Sequence, residues 1–130
     1  MIMVDSSVWI DYFNGKATLQ SDFLNRILGI EDVCIGDLIM TEVLQGFTFD
    51  QDVKVAYELF NDLLIFDLVG KEIAYESAKS YRELRKKGVT VRKTMDMIIG
   101  TFCIKKNIRL LHSDKDFDPM VTYLNLKSVF

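Results

Sequence analysis

Acidic side chains follow or interrupt apolar segments at five points of the 130-residue sequence. The five are Asp5, Glu42, Asp96, Asp114 and Asp116. An acid among apolar residues either faces a functional site or carries a large desolvation cost. Several carboxylates at one site repel each other unless they are protonated or neutralised, and hard divalent cations such as Mg²⁺ and Mn²⁺ prefer oxygen ligands. Such a cluster can activate water for attack on a phosphodiester.

Each acid taken alone also has a structural interpretation. Asp96 can interact favourably with the N-terminus of its own helix, and Asp37 and Asp50 are interpreted as helix caps. For a single acid this structural role is the commoner one. The case for a metal site therefore depends on whether the five carboxylates converge.

Short apolar segments alternate with segments of helical periodicity. Strands are predicted at 1–4, 33–35, 65–68 and 108–112, with an edge strand at 126–130. Helices are predicted at 6–13, 19–28, 37–45, from 50 or 52 to 63, 71–87 and 95–106, with a short helix after Pro119 and with Ser6 or Ser7 and Thr94 as N-caps. The alternation predicts one α/β domain over residues 1–130, a central, mostly parallel sheet flanked by helices on both faces. Ligands bind such sheets beyond the carboxyl ends of the strands, where Asp5 and Asp114 fall.

Four segments resemble, in order, the motifs of PIN-domain proteins, and more closely those of VapC-type toxin ribonucleases. They span nearly the whole chain, at residues 4–10 (VDSSVWI), 41–46 (TEVLQG), 94–100 (TMDMIIG) and 110–117 (LLHSDKDF). Each motif alone is weakly specific, but four in family order in a chain of this length are a strong signal. The resemblance implies a PIN-like fold and a metal-dependent endoribonuclease that acts as the toxin of a toxin–antitoxin pair.

The resemblance also implies roles for individual residues. Asp5, Glu42, Asp96 and Asp114 match the acidic positions of the family, which hold Mg²⁺, with Mn²⁺ as a substitute. Asp116 matches a position that is acidic in some members and supports the metal; of that pair, Asp114 is expected to carry the chemistry because it comes first after its strand. Ser7 matches a small hydroxyl residue that helps to hold the first acid. An RNA substrate, a cognate antitoxin and a homodimer are further implications.

Basic residues are concentrated between positions 79 and 93, although the chain has a net charge of −3. We call this segment the basic strip; its members are Lys79, Arg82, Arg85, Lys86, Lys87, Arg92 and Lys93, against the single acid Glu83. A track for the RNA backbone and a solvated helix face are both open interpretations. The predicted substrate contacts are Ser7, Arg85, Lys86 and Arg92. Arg92 is expected near the metal because it shortly precedes Thr94.

Other features narrow the class of protein. Cys34 and Cys103 lie in apolar surroundings and are expected to be buried free thiols in a reducing compartment. No targeting segment is evident, and no apolar run approaches the ~18 residues that a membrane span needs, so a cytoplasmic location without membrane contact is predicted.

Trp9 and the single histidine, His112, are expected to have structural roles.

Three alternatives remain beside the nuclease. A catalytically inactive PIN-like module would bind RNA or protein only, and intact acids disfavour it. A receiver-like signalling domain needs an acid pair after the first strand and a phosphorylatable acid at a central strand end, whereas Asp67 lies inside its apolar run. A DxD phosphatase is disfavoured because Ser6 and Ser7 follow Asp5. The residues do not select an RNA class, an antitoxin or the number of metal ions.

Overall fold

Four short strands form a parallel sheet in the computed structural model, which describes residues 1–130. The strands are β1 (Ile2–Val4), β2 (Val33–Gly36), β3 (Leu64–Phe66) and β4 (Arg109–Leu111). Their order in the sheet is β3-β2-β1-β4, and every pairing is parallel. Ile2 is paired with Val33 on one side and with Arg109 on the other, so β1 lies inside the sheet. The predicted α/β class and parallel sheet are confirmed.

Seven α-helices and one 3₁₀ turn connect the strands. They are α1 (Ser6–Phe13), α2 (Leu19–Ile27), α3 (Asp37–Gln45), α4 (Asp50–Asn61), α5 (Lys71–Lys86), α6 (Thr94–Lys106), the 3₁₀ turn Lys115–Phe117 and α7 (Asp118–Leu124). The chain runs from β1 to β3 in one direction and then returns to place β4 beside β1. With right-handed crossovers, α1–α4 cover one face and α5 and α6 cover the other. None of these helices is both long enough and apolar enough to cross a bilayer.

The crevice that receives the acidic residues opens between β1 and β4. The chain leaves these neighbouring strands toward different parts of the fold, which makes their carboxyl ends the topological switch point of the sheet. Asp5 follows β1 directly, and its backbone N–H donates to the Leu111 carbonyl oxygen at 2.9 Å. Asp114 comes three residues after β4 ends. The topology therefore brings two of the predicted acids to one place although they lie far apart in sequence.

The core surrounds β1 and α6. All three residues of β1 are buried, and α6 is buried on more than one side through Met97, Ile99, Phe102 and Cys103. A helix that packs on several sides has no single apolar stripe, which explains why its sequence is apolar nearly throughout. Gly100 fits this packing, because an added Cβ atom would lie 2.2 Å from the Met120 Sδ atom.

Trp9 fills the core under α1, as predicted. Its ring is fully buried, lies 5.8 Å from the stacked Phe13 ring and meets Phe60 edge-on at 5.1 Å. Both cysteines are buried free thiols, and burial raises the pKa of Cys34 to about 12. Burial likewise raises the pKa of Cys103. Low thiolate content makes both groups structural rather than reactive.

Four N-caps differ from the prediction. Asp37 and Asp50 are the first residues of α3 and α4, and Gly36 and Phe49 occupy the N-cap positions before them. Asp5, not Ser6 or Ser7, is the N-cap of α1, and its carboxylate accepts from the Ser7 N–H. Lys93 occupies the N-cap position of α6, where Thr94 is the first helical residue. Asp5 immediately precedes the two serines and can accept from an N–H group of the first turn that has no partner within the helix. Because Asp5 is the cap, the hydroxyl groups of Ser6 and Ser7 are free for other contacts.

The C-terminal segment is not a full strand. The predicted edge strand at 126–130 is reduced to a bridge between Leu110 and Ser128, with Leu110 N–H donating to the Lys127 carbonyl at 2.8 Å. Asn125 ends α7 in the left-handed conformation, with φ of 63°. The chain therefore turns sharply and touches the edge of β4 only briefly.

Candidate metal centre

Three carboxylates form a tight cluster at the mouth of the crevice. One oxygen from each of Asp96, Asp114 and Asp116 lies within 4.8 Å of the other two. Asp96 lies in the first turn of α6 and is only 6% exposed, whereas Asp114 and Asp116 belong to the 3₁₀ turn after β4. Asp114 caps that turn, since its Oδ1 accepts from the Asp116 N–H at 2.9 Å. The turn thereby holds two acids side by side, opposite the third.

Asp5 is fixed beside the cluster by Ser7. Its Oδ2 accepts from the Ser7 hydroxyl at 2.6 Å and from the Ser7 N–H at 3.2 Å. The Ser7 Oγ in turn accepts from the Ser113 N–H at 3.4 Å. Ser7 thus holds the first acid, as the resemblance implied, and also links the start of α1 to the segment after β4. A role for Ser7 in substrate binding remains a prediction.

Glu42 is joined to the start of α1 through Ser6. It lies in α3, is half-buried, and its Oε1 accepts from the Ser6 hydroxyl at 3.2 Å. Burial and then the charge of Asp5 raise the pKa of Glu42, while Ser6 and Lys93 oppose the rise. Asp5 and Glu42 stand outside the 4.8 Å group of three acids but act on each other electrostatically. The sequence indicated Ser6 only as a candidate helix cap and did not predict its contact with Glu42. The one signal for this contact was the position of Ser6 next to Asp5.

Burial and mutual repulsion disfavour the charged forms of the carboxylates in the crevice. Burial raises the pKa of Asp96 to about 7, with further increases from Asp5, Asp114 and Asp116 and an opposing effect from Lys93. Burial also raises the pKa of Asp5, against the hydrogen bonds from Ser7. Such a group of carboxylates is destabilising unless protons or cations compensate for it.

The donor set fits a hard divalent cation. Asp96 Oδ2 and Asp116 Oδ2 are buried and accept no hydrogen bond; of the two, the Asp116 oxygen has an ion-pair partner, the Arg92 Nε atom at 3.5 Å. Buried carboxylate oxygens without donors are uncommon in folded proteins, because each carries an uncompensated desolvation cost. A cluster of carboxylate oxygens with unused lone pairs is the chemistry that Mg²⁺ and Mn²⁺ select.

Two cations of the basic strip border the cluster. Arg92 Nε lies 3.5 Å from Asp116 Oδ2, and Lys93 Nζ lies 3.9 Å from Asp114 Oδ2. Both side chains are largely exposed, by 79% and 60%. The predicted position of Arg92 near the acids is confirmed. Lys93 was not singled out, although its place three residues before Asp96 was a usable signal.

The other predicted substrate contacts lie elsewhere. Arg85 and Lys86 are in the last turn of α5, and the Arg85 guanidinium lies over the Tyr81 ring at 5.6 Å from its centroid. Neither forms an ion pair with the five acids. The basic strip is therefore divided between a helix end and the border of the acidic cluster.

His112 has the structural surroundings that were expected. It is buried, its Nε2 lies 3.2 Å from the Ser128 Oγ, and its ring lies 4.9 Å from that of Phe117. These contacts join the end of β4 to the C-terminal segment and to the 3₁₀ turn. The histidine thus supports the turn that carries Asp114 and Asp116.

A comparison with models of protein families gives the same family as the four sequence motifs. The model of the PIN domain matches residues 2–120. The chain belongs to the PIN-domain family. Among curated relatives of this PIN domain, the VapC ribonuclease Mb1587 of Mycobacterium bovis is 30% identical over 131 residues, covering 98% of this chain and 97% of the relative. Ribonuclease VapC11 of Mycobacterium tuberculosis matches equally well. The resemblance to VapC-type proteins is thereby confirmed.

Solved structures agree on the fold of this PIN domain. VapBC2 from Rickettsia felis, bound to a DNA fragment from its promoter, superposes with a TM-score of 0.76 at 17% identity, over 98% of this chain and 97% of that one. A toxin–antitoxin complex from Klebsiella pneumoniae gives a TM-score of 0.70 at 17% identity, covering 90% of each chain. At such identities the likeness concerns the fold.

Proposed function

We propose that residues 1–130 form a single PIN domain that acts as a metal-dependent endoribonuclease. The observation that carries the proposal is the convergence of Asp96, Asp114 and Asp116 with two buried oxygens that accept no hydrogen bond. The names of the VapC ribonucleases, which align over nearly the full chain, favour RNA as the substrate. No comparable feature favours a receiver domain or a DxD phosphatase.

In this proposal the metal ligands come from four parts of the fold. They are Asp5, Glu42, Asp96 and Asp114, with Asp116 in support. The ion is Mg²⁺, with Mn²⁺ as a substitute, because the donors are carboxylate oxygens. When bound, such an ion supplies a Lewis acid to a phosphate oxygen and lowers the pKa of water.

The chain's own residues orient the acids and attract the substrate. The two hydrogen bonds from Ser7 hold one oxygen of Asp5, which leaves its other oxygen for a ligand. The protein has a net negative charge, so the RNA backbone needs local positive charge where it binds. This charge comes from Arg92 and from Arg85 and Lys86 in the C-terminal turn of α5. Hydrolysis adds water at the phosphorus and breaks one P–O bond of the RNA.

The biological role proposed is that of a toxin with a cognate antitoxin. The support comes from the relatives, since structures of similar fold are VapBC proteins and a toxin–antitoxin complex. A homodimer belongs to the same proposal. A cytoplasmic location fits an RNA substrate and two buried free thiols.

Cleavage of labelled RNA with Mg²⁺, with Mn²⁺ and with chelator tests the proposal. We expect internal cleavage in both metals, loss of cleavage with chelator, and recovery when Mg²⁺ is added back. Saturating metal should also raise the melting temperature, because an ion that binds only the folded state stabilises it. Binding of RNA without cleavage in either metal would instead support the inactive PIN-like module.

A further inference from the structure

The backbone of Lys93 is hydrogen-bonded into the start of α6, whereas its side chain is exposed. It is the N-cap residue of α6, and its carbonyl oxygen accepts from the Asp96 N–H at 3.1 Å and from the Met97 N–H at 3.4 Å. Its side chain, however, is 60% exposed. The long, flexible lysine stem can therefore move its ammonium group while the start of α6 stays in place.

The Lys93 ammonium faces acids from three elements. Its Nζ lies 3.9 Å from Asp114 Oδ2 in the turn after β4, and its charge lowers the pKa of Asp96 in α6 and of Glu42 in α3. Arg92 next to it forms its ion pair with Asp116 alone. Of the two bordering cations, Lys93 is thus the one that acts on acids of three different elements.

The contact between Lys93 and Asp114 is loose. At 3.9 Å it is longer than the ~2.8 Å of a charge-assisted hydrogen bond. An exposed ion pair of this length contributes little to folding and exchanges readily. A divalent cation that takes the Asp114 oxygen would repel the ammonium group and release it toward solvent.

We propose that Lys93 is an exchangeable counter-cation of the acidic crevice, paired with Asp114 in the metal-free protein and moved to an RNA phosphate when a divalent cation occupies the crevice. The inference rests on the proposed nuclease function and adds a residue to it. The proposal predicts that loss of the lysine charge changes metal affinity and RNA affinity in opposite directions. Metal should bind more tightly, because its competitor is gone, whereas RNA should bind more weakly.

The first measurement is calorimetric titration of Mn²⁺ into RNA-free protein at pH 8.5. Lys93→Gln should bind Mn²⁺ about threefold to tenfold more tightly, because it removes one positive charge that competes for the carboxylates in surroundings where water and salt screen the effect. Lys93→Arg should remain within about twofold of wild type, because it keeps the charge. Lys87→Gln is the matched control, since it removes one lysine charge that lies over the Tyr123 ring rather than on an acid.

The second measurement is steady-state RNA cleavage at saturating Mg²⁺. Lys93→Gln should raise KM by about fivefold to tenfold, the effect expected for one lost phosphate contact. Lys93→Arg should restore the wild-type KM. A residue with a merely structural role would weaken metal and RNA binding together and would not be rescued by charge alone.

The outcomes separate the two proposals. Weaker or unchanged Mn²⁺ binding by Lys93→Gln, or a KM equal to that of wild type, would overturn the exchange while leaving the nuclease intact. Failure of the wild-type protein to bind Mn²⁺ or to cleave RNA would instead overturn the proposed function. Melting temperatures of the variants, expected within a few degrees of wild type, show that the comparison is made between folded proteins.

Discussion

The starts of α3 and α6 use an acid in the first helical turn in opposite ways. In α3, Asp37 Oδ1 accepts from the Leu38 N–H at 2.8 Å and from the Leu68 N–H at 3.1 Å. In α6, Asp96 is buried with an Oδ2 that accepts nothing. Asp37 therefore links α3 to the segment after β3, whereas Asp96 keeps an oxygen available.

The difference shows what separates a structural acid from a candidate ligand. Asp37 satisfies backbone groups that would otherwise be left without a partner. Asp96 is surrounded by three other carboxylates, and its pKa is raised to about 7 by burial and by those charges. A residue that destabilises the protein in this way is explained by a ligand that compensates for it.

Replacing Asp96 is expected to have the largest effect. Asp96→Asn keeps the size of the side chain, removes one repelled charge and removes an anionic ligand. RNA cleavage should fall by at least about a hundredfold, as expected when a metal-positioned nucleophile is lost. The metal-free melting temperature should be equal or higher, and the metal-induced shift should be smaller. Expression of wild type should arrest growth, whereas this variant should not.

Asp37→Asn is the matched control for that experiment. It makes the same chemical change in the first turn of another helix and keeps an oxygen acceptor for Leu68. Its cleavage rate should stay within about threefold of wild type, well inside the hundredfold expected of a lost ligand. Full cleavage by a folded Asp96→Asn protein would show that Asp96 is not part of the site. The acids at the starts of α3 and α6 would then not differ in function.

Replacing Asp37 by Ala should reveal its structural role. The Leu68 N–H loses its acceptor, so the free energy of unfolding should decrease by about 1–2 kcal/mol. Denaturant titration measures the decrease, and cleavage per folded molecule should be unchanged. A large loss of cleavage without loss of stability would show that α3 contributes to the site through Asp37 as well as through Glu42.

The pH dependence of stability should report the charge of Asp96 without any substrate. The pKa of Asp96 is raised from 3.8 to about 7, so between these values the folded metal-free protein holds a proton that the unfolded chain releases. Stability from this group is present below about pH 4 and is lost as the pH rises toward 7. Asp96→Asn should therefore lose less stability than wild type over that range in chelator. Parallel curves for the two proteins would contradict the raised pKa.

Charge reversal in the basic strip should have the smallest effect. Arg85→Glu with Lys86→Glu removes positive charge at the end of α5, away from the acidic cluster. RNA binding should weaken, and the slope of log affinity against log salt should fall by about 1 to 2, as for two lost phosphate contacts. Metal-induced stabilisation should be unaffected, and Lys54→Glu on the exposed side of α4 serves as a control. An unchanged salt slope would make this part of the strip an ordinary solvated helix face.

The sequence predicted most of the elements because their signals are local. Apolar runs and helical periodicity identified the four strands and the long helices, and the position of Asp5 after β1 followed directly. The strand predicted at 65–68 lies at Leu64–Phe66, so Asp67 follows it rather than lying inside it; β3 is an edge strand, not the central strand that a receiver-like domain needs. The sequence could not predict that Asp5 rather than a serine caps α1, because three candidate caps stand in a row at residues 5–7. The reduced strand at 126–130 depends on how α7 ends, which is a tertiary constraint.

The sequence by itself determined which residues could be ligands, through residue type and place relative to apolar segments. Only the tertiary structure decided which of them meet. Asp96 and Asp114 converge because α6 packs on β4 and on the 3₁₀ turn that follows it. The pairing of β4 with β1 brings Asp5 to the same edge and lets Ser7 reach Ser113. Electrostatic repulsion and ion pairing depend on distance rather than on sequence separation, so the raised pKa of Asp96 and the reach of Lys93 exist only once the chain has folded.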